Sequence, residues 1–346
     1  MRYRLLSVLV GLALVAACAP ASASPSGSGS ADPSASTLAS AGPSGPSVSV
    51  HLLGDGPVLD GAHLGAAYVL PAALTWVEGT YHLWGRAFVE EPGQPSRGYY
   101  ASSRDGVIWT PSEADPFAEI ALDLADPGAV PGSVLQERDG SWLMFLWGFP
   151  SEGVPAFYRA MAAVPEGPWV ADPEPILTRT SGGWDGGGLD FPTVVHQDDG
   201  YLMLYSAWRL SEPSSNVVGV ATSPDGIVWT KGEEPVIRPG LCGAFDARSI
   251  ALPRLRDIGD GWYLFYNGLP EDQTAGASVG VASSPDLLTW SCASSEPALV
   301  ASDIPGSAGI HTMAVAADAR GPEMLIESLG EGFSELWLGD VEIPAP

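Results

Sequence analysis

Turn glycines fall at Gly79, Gly140, Gly200, Gly261 and Gly321, at intervals of 61, 60, 61 and 60 residues. A period that regular is the mark of a chain that stacks one supersecondary unit on the next, and it restricts the fold to repeat architectures. All but the last glycine follow an acidic residue, as in Asp139-Gly140, Asp199-Gly200 and Asp260-Gly261. Such pairs are the strongest short-range signal of a two-residue hairpin turn. A short run follows each turn, at 81–84, 142–145, 201–205, 262–266 and 323–326, and four of the five are rich in the aromatic side chains that strands favour.

Two more markers share the period. A second strand precedes each turn and opens on a triplet: Val69-Leu70-Pro71, Ala129-Val130-Pro131, Asp190-Phe191-Pro192, Ala251-Leu252-Pro253 and the proline-less His311-Thr312-Met313. The turn Ser-x-Asp-Gly-x-x-Trp occupies 103–109 and 223–229, lacks its glycine at 284–290, and keeps only Trp169 in the second unit. Units end on a proline and aliphatic residues, as in Pro175-Ile176-Leu177, Pro235-Val236-Ile237 and Pro297-Ala298-Leu299. The fifth unit runs out of chain after a third strand at 336–343, while Pro57-Val58-Leu59 carries the missing pattern at the other end. These residues predict an all-β fold: a five-bladed β-propeller with four-stranded antiparallel blades, in which an N-terminal strand closes the last blade. No helical period of useful length competes with it.

The ends of the chain read differently. Residues 1–17 have the form of a signal peptide, with Arg2 and Arg4 ahead of an apolar run at 5–15 that is too short to span a bilayer. Val15-Ala16-Ala17-Cys18 resembles the bacterial lipobox, which implies lipidation of Cys18 and a place on the outer face of the cell membrane. Residues 18–47 are mostly Ala, Ser, Pro and Gly and bury too little to fold, so they predict a disordered tether with a reach on the order of 30 Å. The propeller then takes 48–346.

The chain has 41 acidic and 15 basic residues. A surface of that sign repels nucleic acid and anionic headgroups, leaving the lipid as the expected contact with the membrane. With Cys18 lipidated, Cys242 and Cys292 remain of the three cysteines, and two leftover cysteines in an exported protein suggest a disulfide, with free thiols as the alternative. Neither lies in a C-x-x-C pair, so no metal site is expected from them.

With its five units, Ser-Pro-Asp-Gly-Ile-Val-Trp-Thr at 223–230 and hairpins such as Asp-Gly-Tyr-Leu-Met-Leu-Tyr-Ser at 199–206, the chain resembles the five-bladed glycoside hydrolases of the family 43 and 32 kind. The resemblance implies work on oligosaccharide or polysaccharide without a cofactor. Enzymes of that kind carry three carboxylates at the inner-strand starts, and glycoside cleavage needs at least two flanking the bond. Carried over by position, the first two fall on Leu70 and Val130, which cannot move a proton, and the third on Asp190.

Binding with weak or no hydrolysis is therefore the first reading. An active hydrolase using Asp60, Asp123, Asp126, Asp185 or Asp246 is the alternative, although Asp185 and Asp246 repeat before the triplets as loop caps would. A protein-docking propeller is the third reading and requires a broad apolar rim. The same resemblance places His311 near the axis, holding water or a cation. Arg248 is a candidate for an acidic sugar or for pairing with Asp190. Trp84, Trp147, Trp208 and Asn267 end the second strands, where indoles would stack on sugar at a funnel mouth.

Overall fold

The computed structural model describes residues 47–344 apart from 90–94, 126–127, 151–152, 213–214, 260, 273–275 and 319–320. The signal peptide, Cys18, nearly all of the tether, and Asp126 lie outside the described residues. Among those described, no helix is long and apolar enough to cross a membrane.

The chain opens with β1 (Ser49–Leu52) and β2 (Leu59–Asp60), which belong to the last blade. Blade one is β3 (Tyr68–Val77), β4 (Thr80–Phe88), β5 (Arg97–Ser103) and β6 (Thr110–Pro111). Blade two is β7 (Val130–Gln136), β8 (Trp142–Gly148), β9 (Ala156–Ala162) and β10 (Val170–Ala171), with β11 (Leu177–Thr178) also on β9. Blade three is β12 (Gly188–Gln197), β13 (Gly200–Trp208), β14 (Asn216–Ser223) and β15 (Thr230–Lys231). Blade four is β16 (Ser249–Asp257), β17 (Trp262–Leu269), β18 (Ser278–Ser284) and β19 (Ser291–Cys292). Blade five is β20 (Gly309–Asp318), β21 (Gly321–Leu329) and β22 (Ser334–Glu342), completed by β1 and β2.

The closure is longer than the sequence implied. Leu59 pairs with Leu336 as the repeat predicts, but Val50 and its neighbours also pair along β22, through Val50 to Val341. The outer strand is split in this way elsewhere too. Its regular part follows the tryptophan of each turn, and the proline-aliphatic segment adds only β11 or the single bridges Val218 to Ile237 and Val279 to Leu299. Proline has no N–H to donate, so these segments cannot extend a ladder.

Local chemistry accounts for the repeated turns. At Asp105 the carboxylate accepts the amides of Val107 and Ile108, at 2.9 Å each, while the Ser103 hydroxyl accepts that of Gly106. Asp225 with Ser223, and Asp286 with Ser284, repeat the pattern. The turn demands a left-handed residue, supplied by Gly106 and Gly226 at φ 76° and 71°. Leu287 holds the same place at φ 66°, at a steric cost of about 1 kcal/mol that its burial offsets.

Hydrophobic clusters fill the spaces between adjacent blades, one for each pair of neighbours. Trp84 belongs to one of these. It is fully buried between blades one and two against Tyr100, Trp142 and Trp169, with its indole N–H donated to the Pro165 carbonyl. A side chain so placed cannot stack on sugar, which corrects the reading that put Trp84 at the funnel mouth. A disulfide joins Cys242 to Cys292, with Cα atoms 5.1 Å apart.

Candidate functional site

Every inner strand slips register just inside its start: at Pro71 to Ala73, Pro131 to Ser133, Asp190 to Thr193, Ala251 to Arg254 and Ile310 to Met313. In blades three and four the bulge holds Phe191 and Leu252 at φ 46° and 56°. Left-handed backbone at bulky residues costs of order 1 kcal/mol each and is characteristic of functional sites. The strain falls beside Asp190.

In blades one to four, one position near the end of the second strand carries a side chain that reaches toward the next blade's inner strand. Arg86 lies against Gly128, and the Trp147 ring stands 5.1 Å from that of Phe191. Ser206 accepts the Leu252 amide at 2.8 Å, and Asn267 donates to the His311 carbonyl at 2.7 Å. Trp147 and Asn267 both occupy this position, opposite Val130 and Ala251. Trp208 sits two residues further along β13, half-buried at the rim against Gly187 and Gly188. Arg86 was missed by sequence reading, although its place in the repeat matches that of Trp147.

Asp190, the third residue of β12, is half-buried, with Oδ1 inaccessible and, among the described residues, without a hydrogen-bond partner. Burial pushes its carboxyl up to about 7, against the smaller opposing pulls of the Ser206 hydroxyl and the Arg254 guanidinium. Because Ser206 Oγ already accepts the Leu252 amide, its own hydrogen is left for the carboxylate. The cation beside Asp190 is Arg254, not Arg248. Arg254 is fully buried, lies 5.3 Å from the Phe191 ring, and donates through Nε to the Met313 carbonyl of blade five at 2.8 Å. Two positions on, Arg256 donates to the Leu74 carbonyl of blade one at 2.9 Å. Blade four is thereby tied to blade five and, past it, to blade one. Burial pulls the two guanidiniums down to about 9 and about 10, so both stay protonated at neutral pH.

Leu70 and Val130, onto which the resemblance carries the first two acids, are buried in one apolar cluster with Phe191. His311 does not stand free on the axis: its Nδ1 is 2.8 Å from Oε2 of buried Glu327. Burial alone would lower the imidazole, but the adjoining carboxylate outweighs it and holds His311 above the ordinary range. A raised imidazole stabilises the fold below its unfolded value, and that contribution fades as pH rises through the folded one. In Glu327→Gln the burial acts unopposed, so the His311 pKa should fall below that of the parent and below 6.5. Proton NMR titration of the five histidines measures this, and an unmoved His311 would refute the pairing.

The remaining acids are structurally engaged. Asp185 is buried and paired with Lys231, and it accepts the Thr180 amide. Asp246 accepts the amides of Cys242 and Gly243 and the Tyr266 hydroxyl. Asp60 caps the short helix Gly61–Leu64 and pairs with His63. Asp123 is exposed. Among the described residues no group of three His, Cys, Asp or Glu side chains is arranged to hold a metal ion.

No protein-family model matches the chain, and no curated protein does. Solved structures match well. One, from work on glycoside hydrolases of the GH130 family of mannoside phosphorylases that target β-1,2 mannosidic linkages in Candida mannan, superposes with a TM-score of 0.61 at 17% identity, over 87% of this chain and 96% of that one. A thermostable family-43 glycoside hydrolase gives 0.59 at 17% identity, over 85% and 92%. A glycosyl hydrolase from Bacteroides ovatus gives 0.58 at 18%, over 80% and 84%. The fold of this chain is the five-bladed propeller found in these glycoside hydrolases, as the repeat and its resemblance implied.

Proposed function

We propose that this is an extracytoplasmic lipoprotein, anchored through Cys18 on the outer face of the cell membrane, whose central funnel binds oligosaccharide with little or no hydrolysis. The observation that carries the reading is Asp190: a carboxyl at a strained bulge, with one buried oxygen unpartnered and a serine aimed at the other side of its chemistry. An unsatisfied buried acceptor of this kind costs the fold about 1–3 kcal/mol and suits a ligand hydroxyl. Trp147, Asn267 and Thr312 add buried polar atoms that are likewise unpartnered. Trp208 and Arg248 supply the rim, and His311 joins through its backbone carbonyl and its Glu327 pair.

Hydrolysis requires a second acid across the bond, and the positions onto which the resemblance carries it hold Leu70 and Val130. Asp185, Asp246 and Asp60 are each committed to caps or ion pairs, which argues against their use as substitutes. A protein-docking face finds less support. The exposed aliphatics Val107, Ile108, Ile227, Val228 and Leu288 are parted among turns whose carboxylates, Asp105, Asp225 and Asp286, are kept ionised by backbone amides. The test is to titrate the protein with arabinan, xylan, fructan and mannan fragments while following release of reducing ends. Binding with turnover near the uncatalysed rate is expected, and brisk turnover would overturn the reading.

A further inference from the structure

Blade three carries a cavity outside the funnel that the reading above does not use. It has a volume of about 680 Å³ and is lined by Arg179, Arg209 and Trp184 together with Gly182, Gly183 and Gly186. A second, smaller hollow shares Trp184 and Arg209 and adds Arg238 and Glu212. The site adjoins the funnel through the chain itself: Gly186 is four residues before Asp190, and the Gly187 amide donates to the Trp208 carbonyl at the rim.

The charge here runs against the rest of the molecule. Acidic residues outnumber basic ones by 41 to 15, so a stray arginine would ordinarily find a carboxylate. No acid lines the larger cavity, and among the described residues the exposed Arg209 guanidinium has neither an ion pair nor a hydrogen bond. Among the described residues Arg179 donates to the Gly186 carbonyl and has no ion pair. In the smaller hollow Arg238 is bonded to Glu234 at 2.6 Å, and Glu212 is the one lining acid. Beyond it, Arg248 keeps its Nε buried and unpaired, while its carbonyl accepts from Ser215 of the same hollow. Trp184 is stacked on Tyr205 at 6.0 Å, which fixes the indole as a wall.

Unpaired guanidiniums beside a fixed indole match one ligand chemistry: a sugar ring bearing a carboxylate, which a guanidinium fork takes in two parallel hydrogen bonds. We infer that this cavity is a subsite for a hexuronic acid unit of the oligosaccharide whose neighbouring residues enter the funnel, with Arg209 and Arg179 on the carboxylate and Trp184 beneath the ring. The inference rests on the funnel reading and names the class of glycan it takes.

The experiment compares uronic-acid oligosaccharides with the same molecules after carboxyl reduction, by calorimetric titration of the parent protein and of Arg209→Ala. Arg209 is exposed and outside the core, so the variant retains the fold. The acidic forms should bind the parent at least about tenfold more tightly, the preference should weaken in 0.5 M salt, and Arg209→Ala should abolish it while leaving affinity for the reduced forms unchanged. Equal affinity for the two forms, or a preference that survives Arg209→Ala, overturns the inference. So does inorganic phosphate that displaces the ligand as effectively as glucuronate, since the site would then take anions of any shape. The funnel reading fails separately, if Asp190→Asn leaves affinity for the reduced oligosaccharides untouched.

Discussion

Asp190→Asn is expected to stabilise the protein at pH 8 and to weaken oligosaccharide binding about tenfold to a hundredfold. Both effects arise from the same buried carboxyl. Its folded value near 7 lies above the ordinary 3.8, so between those pH values the folded chain holds a proton that the unfolded chain has lost. Stability therefore falls as pH rises through this window and levels off above about 7. Asparagine cannot ionise and lacks that slope. At pH 8 the variant should gain on the order of 2 kcal/mol, which for a domain this size raises Tm by about 2–4 °C per kcal/mol, and the gain should vanish near pH 4. Thermal unfolding at several pH values measures it. The binding loss follows from removing a charged acceptor, whose hydrogen bonds contribute about 1.5–3 kcal/mol. A variant that is destabilised at pH 8 would mean that the carboxylate is satisfied in the fold and is not held in reserve for a ligand.

The blades were legible because turn chemistry is local: Asp-Gly pairs, the Ser-x-Asp-Gly-x-x-Trp turn and the inner-strand triplets fix ring and register without reference to anything distant. Equivalent positions on the second strands follow from counting within the repeat. Trp147 and Asn267 lie at the equivalent place in β8 and β17. Trp84 lies two residues short of that place and Trp208 two beyond, so an aromatic late in a second strand does not by itself mark the position. Alternation explains the result for Trp84, since a side chain two positions back on β4 falls deeper between blades, where an indole is core. Arg86 occupies the right place and was passed over because it is not aromatic. Other features were not available from sequence at all. That Arg254 and not Arg248 meets Asp190 depends on the blade-four bulge, and the pairing of His311 with Glu327 depends on two strands facing each other across sixteen residues. The split outer strand was hidden because the proline marks its weaker half.

Arg254→Ala should be the most damaging single substitution on the inner strands, and its cost should depend on pH. The side chain is fully buried, holds the Met313 and Pro253 carbonyls at 2.8 and 3.1 Å, and covers the Phe191 ring. Losing the packing and these bonds costs the same at every pH. Relief of repulsion from Arg256 returns a part, nearly constant up to about pH 8, because both guanidiniums remain largely protonated there. What varies is Asp190, which loses its neighbouring cation. Below its pKa the carboxyl is neutral and indifferent, while above it an uncompensated buried charge must be held or protonated at a still higher pKa. Urea unfolding should therefore show a loss of about 3–5 kcal/mol at pH 8 and a clearly smaller one at pH 5.5. The same measurement in an Asp190→Asn background isolates the electrostatic part, because there the cost of Arg254→Ala should no longer change with pH. A cost that stays equal at both pH values in the parent background would show that Arg254 braces the inner strands without governing the charge of Asp190.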